Sequence, residues 1–167
     1  TVLGGPHARS YPQDSAQYFD YVLGFTDKDI IDRVLRERSS GSGNGIQLNA
    51  ERQPTYLPGV RERWKFIAPT IAKAPTLKLV PMIGSVGCPY SCSYCIDSVV
   101  DYLPLGFVQI SEDLRFLVDT MGKATVAWHD PNFGVRFDDY MTAIEAAVPP
   151  GRIQHVAESS LSLLSEG

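Results

Sequence analysis

Apolar residues along this chain fall into blocks that alternate between strand-like runs and helix-like stripes. Val2-Leu3 makes a short strand that runs into Gly4-Gly5-Pro6, a tight turn whose two glycines permit positive φ or close approach of a ligand to the backbone. A second short strand is predicted from Tyr18 to Leu23, ending at Gly24. Thr26, with Asp29 three residues later, reads as a capping box in which Asp replaces the preferred Glu or Gln. Ile30, Ile31, Val34 and Leu35 then share one face, so a helix is expected over 27–38.

The pattern then dissolves. Ser39-Ser40-Gly41-Ser42-Gly43-Asn44-Gly45 has no periodicity and little side-chain bulk, which reads as a flexible connection. From Ile46 to Pro75 the chain mixes Pro54, Pro58, Pro69 and Pro75 with aromatics and with Arg61, Arg63 and Lys65. An extended crossing is expected there, making 39–75 a solvated linker between 1–38 and 76–167.

Periodicity returns at Thr76. Leu77 to Ile83 reads as a strand feeding a loop over 84–95, and Ser111 as the cap of a helix with Leu114, Leu117, Val118 and Met121 on one face and Gly122 at its end. A strand over Ala124 to His129 follows. Phe137, Tyr140, Met141, Ile144 and Val148 repeat the helical stripe until Pro149-Pro150-Gly151 stops it, a strand runs from Ile153 to Glu158, and Ser160 to Leu164 begins another helix. Strand and helix alternating at this spacing imply an α/β fold of right-handed parallel βαβ units. In such sheets chemistry collects beyond the C-terminal ends of the strands. Those ends carry the 84–95 loop, His129-Asp130-Pro131-Asn132, and Glu158.

Composition narrows the picture. The 167 residues are 44% hydrophobic and 20% charged, an ordinary globular balance. The net charge is -4, and no run of like charges suggests a nucleic-acid or polybasic membrane arm. No apolar run approaches the roughly 18 residues a membrane helix needs, and the start has no signal-peptide pattern. A cytoplasmic protein that binds neither nucleic acid nor membrane is expected. Opening without Met and closing inside an apolar run, the chain reads as a fragment of a longer one.

All three cysteines, Cys88, Cys92 and Cys95, lie within eight positions as CxxxCxxC. An odd, bunched set is no disulfide framework and points to a metal or cofactor. Structural zinc needs four ligands, generally in CxxC-like pairs, so a zinc site would have to recruit His129 or His155 from elsewhere. Three thiolates on one loop can instead each take a corner of an iron-sulfur cluster. A four-iron cluster would keep one iron without a thiolate, open to a substrate. The alternative is a non-catalytic zinc- or cluster-binding module.

CxxxCxxC after the first strand of an α/β unit, with Tyr94 just before the last Cys, resembles the signature of the radical S-adenosylmethionine enzymes. The resemblance implies a partial (βα) TIM barrel beginning in 76–167, with Cys88, Cys92 and Cys95 holding a 4Fe-4S cluster. It also implies that S-adenosylmethionine chelates the open iron and is cleaved reductively to a 5'-deoxyadenosyl radical, with a flavodoxin- or ferredoxin-like electron donor as partner. Val2-Leu3-Gly4-Gly5-Pro6-His7-Ala8 and Phe19 to Gly24 resemble the end of the cobalamin-binding, Rossmann-like domain of one subgroup. That implies cobalamin against Gly4 and Gly5, and methyl transfer or another radical modification of an organic substrate. Where many relatives have Gly-Glu, this chain has Gly24-Phe25-Thr26-Asp27. The run Asp130-Pro131-Asn132-Phe133 resembles the subgroup's Asp-x-Asn-Phe version of the S-adenosylmethionine site, so Tyr94, Asp130, Asn132 and Glu158 are expected at that cofactor. Asp130 would accept from its ammonium. The plainer readings are an Asx-type turn at Asp130 and a helix cap at Glu158. His7 reads as a turn residue and Tyr56, Trp64 and Tyr102 as packing residues; no side chain is nominated as catalytic.

Overall fold

The computed structural model describes residues 1–37, 44–52, 57–74 and 79–160. The chain divides into two compact units, Thr1–Thr55 and Tyr56–Gly167. Each is mixed α/β with a parallel sheet. Among the described residues no helix is long and apolar enough to cross a membrane.

The first unit contains β1 (Val2–Leu3), two short helices α1 (Pro6–Ser10) and α2 (Pro12–Ser15), β2 (Tyr21–Leu23), α3 (Lys28–Glu37) and β3 (Ile46–Leu48). The strands are parallel in the order β1-β2-β3. All three residues of β2 are buried, as suits a central parallel strand, and Tyr21, Leu23 and Val34 form the core, flanked by Ile30, Ile46 and Leu48. The strand expected from Tyr18 begins only at Tyr21, because Tyr18 and Phe19 donate their amides back to the Ser15 carbonyl. Both α1 and α2 open on a proline, whose fixed φ suits a first helical position. The cap of α3 is Asp27, not Thr26. Asp27 Oδ1 accepts from the Ile30 amide at 2.9 Å, while the Thr26 hydroxyl turns back onto the Gly24 carbonyl.

The second unit contains α4 (Val60–Lys73), β4 (Leu79–Met82), β5 (Ser85–Val86), β6 (Leu103–Pro104), α5 (Phe107–Met121), β7 (Ala124–Trp128), α6 (Phe137–Ala147) and β8 (Ile153–Val156). Single 3-10 turns lie at Ile96–Val99 and Phe133–Arg136. Its main sheet is parallel in the order β4-β7-β8, and β5 pairs with β6 antiparallel. Val80, Met82, Val126 and Trp128 share a face of that sheet and pack with Val60 of α4, Leu114 and Leu117 of α5, and Tyr140 and Ile144 of α6. All three long helices therefore cover one face. Alternation puts Leu79, Pro81, Thr125, Ala127, Gln154 and Val156 on the other, and none of them belongs to the core.

Three sequence expectations change here. The stretch 46–75 is not an extended crossing: it contains β3 and the 14-residue α4. Val60, Trp64, Ile67 and Ile71 form a helical stripe onto the core, with Trp64 edge-on to Phe116 at 5.4 Å. Burial of that stripe outweighs the hydrogen bond lost at Pro69, inside the helix. Helix α5 begins at Phe107 behind Gly106, one turn before Ser111. Phe107 and Ile110 continue its buried stripe backward, and the Ser111 hydroxyl faces the Ala143 carbonyl of α6. Strands β7 and β8 end at Trp128 and Val156, short of His129 and Glu158. The expected helix after Ser160, Tyr56, the start of the strand at Leu77 and most of the flexible connection lie outside the described residues.

Candidate functional site

Strand β4 ends at Met82, and from Gly84 the chain leaves the sheet in a narrow hairpin that carries every cysteine. Ser85 pairs with Pro104 and Val86 with Leu103, and the Leu105 amide donates to the Gly84 carbonyl at 2.7 Å. Gly87 makes the neck. Its φ is +68°, and a Cβ there would lie 2.3 Å from the Asp101 carbonyl oxygen and 2.4 Å from that of Val100, so only glycine lets the two strands close. Just beyond, the Cys88 amide donates to the Val100 carbonyl. The tip is turned by the Cys95 amide donating to the Cys92 carbonyl at 3.0 Å and by the Ser98 hydroxyl donating to the Cys95 carbonyl at 2.6 Å.

All three thiols are free, with Cys92 exposed and Cys88 and Cys95 half-buried. Tyr94 is 91% exposed. The charge of Cys92 beside it, and then their mutual hydrogen bond, push the Tyr94 phenol above its usual range. Among the described residues no three His, Cys, Asp or Glu side chains converge as they would around a single metal ion. A four-iron cluster makes a different demand, since it takes each thiolate on a separate iron and spreads its ligands wider than one ion with bonds of about 2.3 Å. Three soft sulfurs on one short loop supply the donor chemistry such a cluster needs.

Register brings the ends of β4, β7 and β8 together, pairing Met82 with Trp128 and Ala127 with Val156. At this rim Asp130 is 2% exposed. Its Oδ2 accepts from the Gly84 amide at 2.9 Å, and its Oδ1 accepts from the Ser85 and Tyr140 hydroxyls, both at 2.7 Å. Burial first, then the Asp130 charge and its hydrogen bond, push the Tyr140 phenol up, so it remains a donor. Asn132 is also buried, and its Oδ1 accepts from the Gly134 amide, the Ser159 hydroxyl and the Ser160 amide. With the Phe133 amide donating to the Glu158 carbonyl at 2.9 Å, it ties the loop after β7 to the loop after β8. Glu158 itself is exposed. Asp130 and Asn132 are thus engaged within the protein, and Glu158 is the carboxylate that faces solvent at this rim.

His155 lies beside Trp128, whose indole N–H donates to His155 Nδ1 at 3.0 Å, and burial lowers its pKa. Trp64 packs as expected and Tyr102 is half-buried. In the first unit, Gly5 has φ +88° at the start of α1, so its backbone needs glycine, and among the described residues no atom beyond its chain neighbours lies within 4 Å of a Cβ built on it. Among the same residues a Cβ on Gly4 would meet the Leu23 carbonyl oxygen alone, at 3.9 Å. Both glycines are exposed. His7 is a surface residue opposite Asp14.

The residues that sequence reasoning missed are Gly84, Ser85, Gly87 and the hydroxyl of Tyr140. Two glycines flanking Ser85-Val86 just ahead of a cysteine are the signal for the first three, since a close approach explains both, to the Tyr140 ring at Gly84 and to the Val100 and Asp101 carbonyls at Gly87. No protein-family model matches this chain, and no curated protein matches it.

Proposed function

We propose that this chain carries the cofactor-binding part of a radical S-adenosylmethionine enzyme. The observation that carries the reading is the CxxxCxxC set of free thiols on a pinched loop at the C-terminal end of a parallel strand. Cys88, Cys92 and Cys95 would each hold one iron, leaving one iron for the amino and carboxylate groups of S-adenosylmethionine. When bound, a reduced four-iron cluster supplies one electron to the sulfonium, and the carbon-sulfur cleavage that follows yields a radical able to take hydrogen from an organic substrate. Tyr94, exposed beside Cys92, would lie against the same cofactor. Glu158 would accept from its ammonium, and Asn132 fixes the two loops that present Glu158.

A barrel beginning in the second unit is supported by its layering. Open doubly wound sheets carry helices on both faces, whereas barrels carry them only outside; here α4, α5 and α6 share one face, and the residues of the other, Leu79, Pro81, Thr125, Ala127, Gln154 and Val156, lie outside the core. Cobalamin against Gly4 and Gly5 is supported by the exposed glycine turn after β1, and it assigns the enzyme to radical methyl transfer or a related modification.

The test is metal analysis after anaerobic reconstitution of the chain with iron and sulfide. About four irons per chain with a brown chromophore are expected, lost in Cys88→Ala, Cys92→Ala or Cys95→Ala because the loop offers no spare thiolate. A colourless protein with stoichiometric zinc would contradict the proposal and make the chain a zinc module.

A further inference from the structure

The cysteine loop leaves the sheet over a buried anion. Asp130 takes three donors and none of them is a cation: the Gly84 amide, the Ser85 hydroxyl and the Tyr140 hydroxyl. Two of the donors are the first residues of the hairpin that carries the thiols, and the third is anchored in the core. The Tyr140 ring stacks on Phe133 at 4.4 Å and meets Phe107 edge-on at 5.4 Å. It also closes on the hairpin directly, for a Cβ on Gly84 would lie 2.4 Å from the ring. The loop's first two residues are therefore gripped from beneath by one carboxylate and one phenol, and the hairpin ladder carries that orientation to the neck at Gly87.

We propose that Asp130 and Tyr140 are positioning residues for the cysteine loop, fixing the direction in which Cys88, Cys92 and Cys95 are presented without themselves touching what those thiols bind. The proposal rests on the cluster reading for its second readout but not for its first. A hydrogen bond to a charged group is worth more than one between neutral groups, so removing one donor from Asp130 raises the frequency with which the hairpin base opens. Tyr140→Phe keeps the ring and its stacking and deletes only the hydroxyl. Ser85→Ala deletes the other hydroxyl.

The first readout is alkylation of Cys88 in the metal-free protein, followed by peptide mass spectrometry. Labelling through local opening should run at least about tenfold faster in Tyr140→Phe and in Ser85→Ala than in the parent. Ile144→Val loosens the same helix without touching the carboxylate and should label at the parent rate. The second readout is the EPR spectrum of the reduced, reconstituted protein. Tyr140→Phe should keep its iron content and change its line shape, because the sulfurs are held at altered angles. Parent-rate labelling in both hydroxyl variants overturns the proposal, as does a Tyr140→Phe spectrum superimposable on the parent's. If the parent itself takes up no iron, the cluster reading fails and the labelling rates still decide the clamp.

Discussion

Asp130 and Glu158 are carboxylates at the ends of neighbouring strands, yet their surroundings divide the work between them. A carboxylate offers about four lone-pair sites, and Asp130 has three filled from inside the protein while being almost inaccessible. An ammonium group arriving from solvent would find at most one site left, on a carboxylate that the protein almost wholly screens from it. Glu158 is exposed, and its loop is fixed by the Asn132 side chain and the Phe133 amide rather than by its own carboxylate. A charge-assisted hydrogen bond to a ligand ammonium is worth roughly 1.5–3 kcal/mol, or about ten- to a hundredfold in affinity. Glu158→Gln should therefore weaken S-adenosylmethionine binding to the cluster-loaded protein by that factor, read by isothermal titration, and leave the iron content unchanged. Wild-type affinity in Glu158→Gln would remove the residue from the site. The sequence shows Asp130 as a polar residue at a strand end, but its donors lie 10, 45 and 46 residues away in the chain. No local pattern reports that its lone pairs are already taken.

Helix α4 begins at Gly59, which has no side chain to cap it. The cap comes from another helix. Asp113 of α5, buried, accepts from the Val60 amide at 2.8 Å and from Gln109 Nε2 at 3.1 Å, while Glu62 reaches back to the Gly59 amide. Replacing a capping acceptor typically costs about 0.5–2 kcal/mol, and Asp113→Ala should lower the stability of the second unit by that amount. Both tryptophans, Trp64 and Trp128, belong to that unit, so urea unfolding followed by tryptophan fluorescence reads it alone. Burial outweighs the hydrogen bonds and raises the Asp113 pKa. The folded carboxyl thus keeps its proton to higher pH than the unfolded chain, where the pKa is about 3.9. Over that window the folded state binds more protons, and stability falls as pH rises through it. Asp113→Asn, which keeps an acceptor but cannot ionise, should abolish that decline; an identical pH profile in the variant would contradict the assignment. Helix α4 also shows where proline misleads as a local signal. Its stripe of Val60, Trp64, Ile67 and Ile71 is present in the sequence, but Pro58, Pro69 and Pro75 argue locally against a helix, and only tertiary burial decides the contest.

Across the whole chain, the α/β alternation was legible wherever an apolar stripe stood between clean stops, as with β7, α6 and β8 around Gly122 and Pro149-Pro150-Gly151. The thiol set was legible because ligand chemistry and spacing lie in eight consecutive positions. What was not legible is the support beneath it, built from Asp130, Tyr140 and the glycines at 84 and 87 through contacts distant in sequence. In the proposed enzyme these parts act together, since a loop with three cysteines would leave one iron of a four-iron cluster open to S-adenosylmethionine. The most direct measurement is the EPR spectrum of the reduced, reconstituted protein with and without S-adenosylmethionine. A cluster signal whose g values shift on adding the cofactor is the expected result. A cluster signal that S-adenosylmethionine leaves unchanged, or no cluster signal at all, would contradict it.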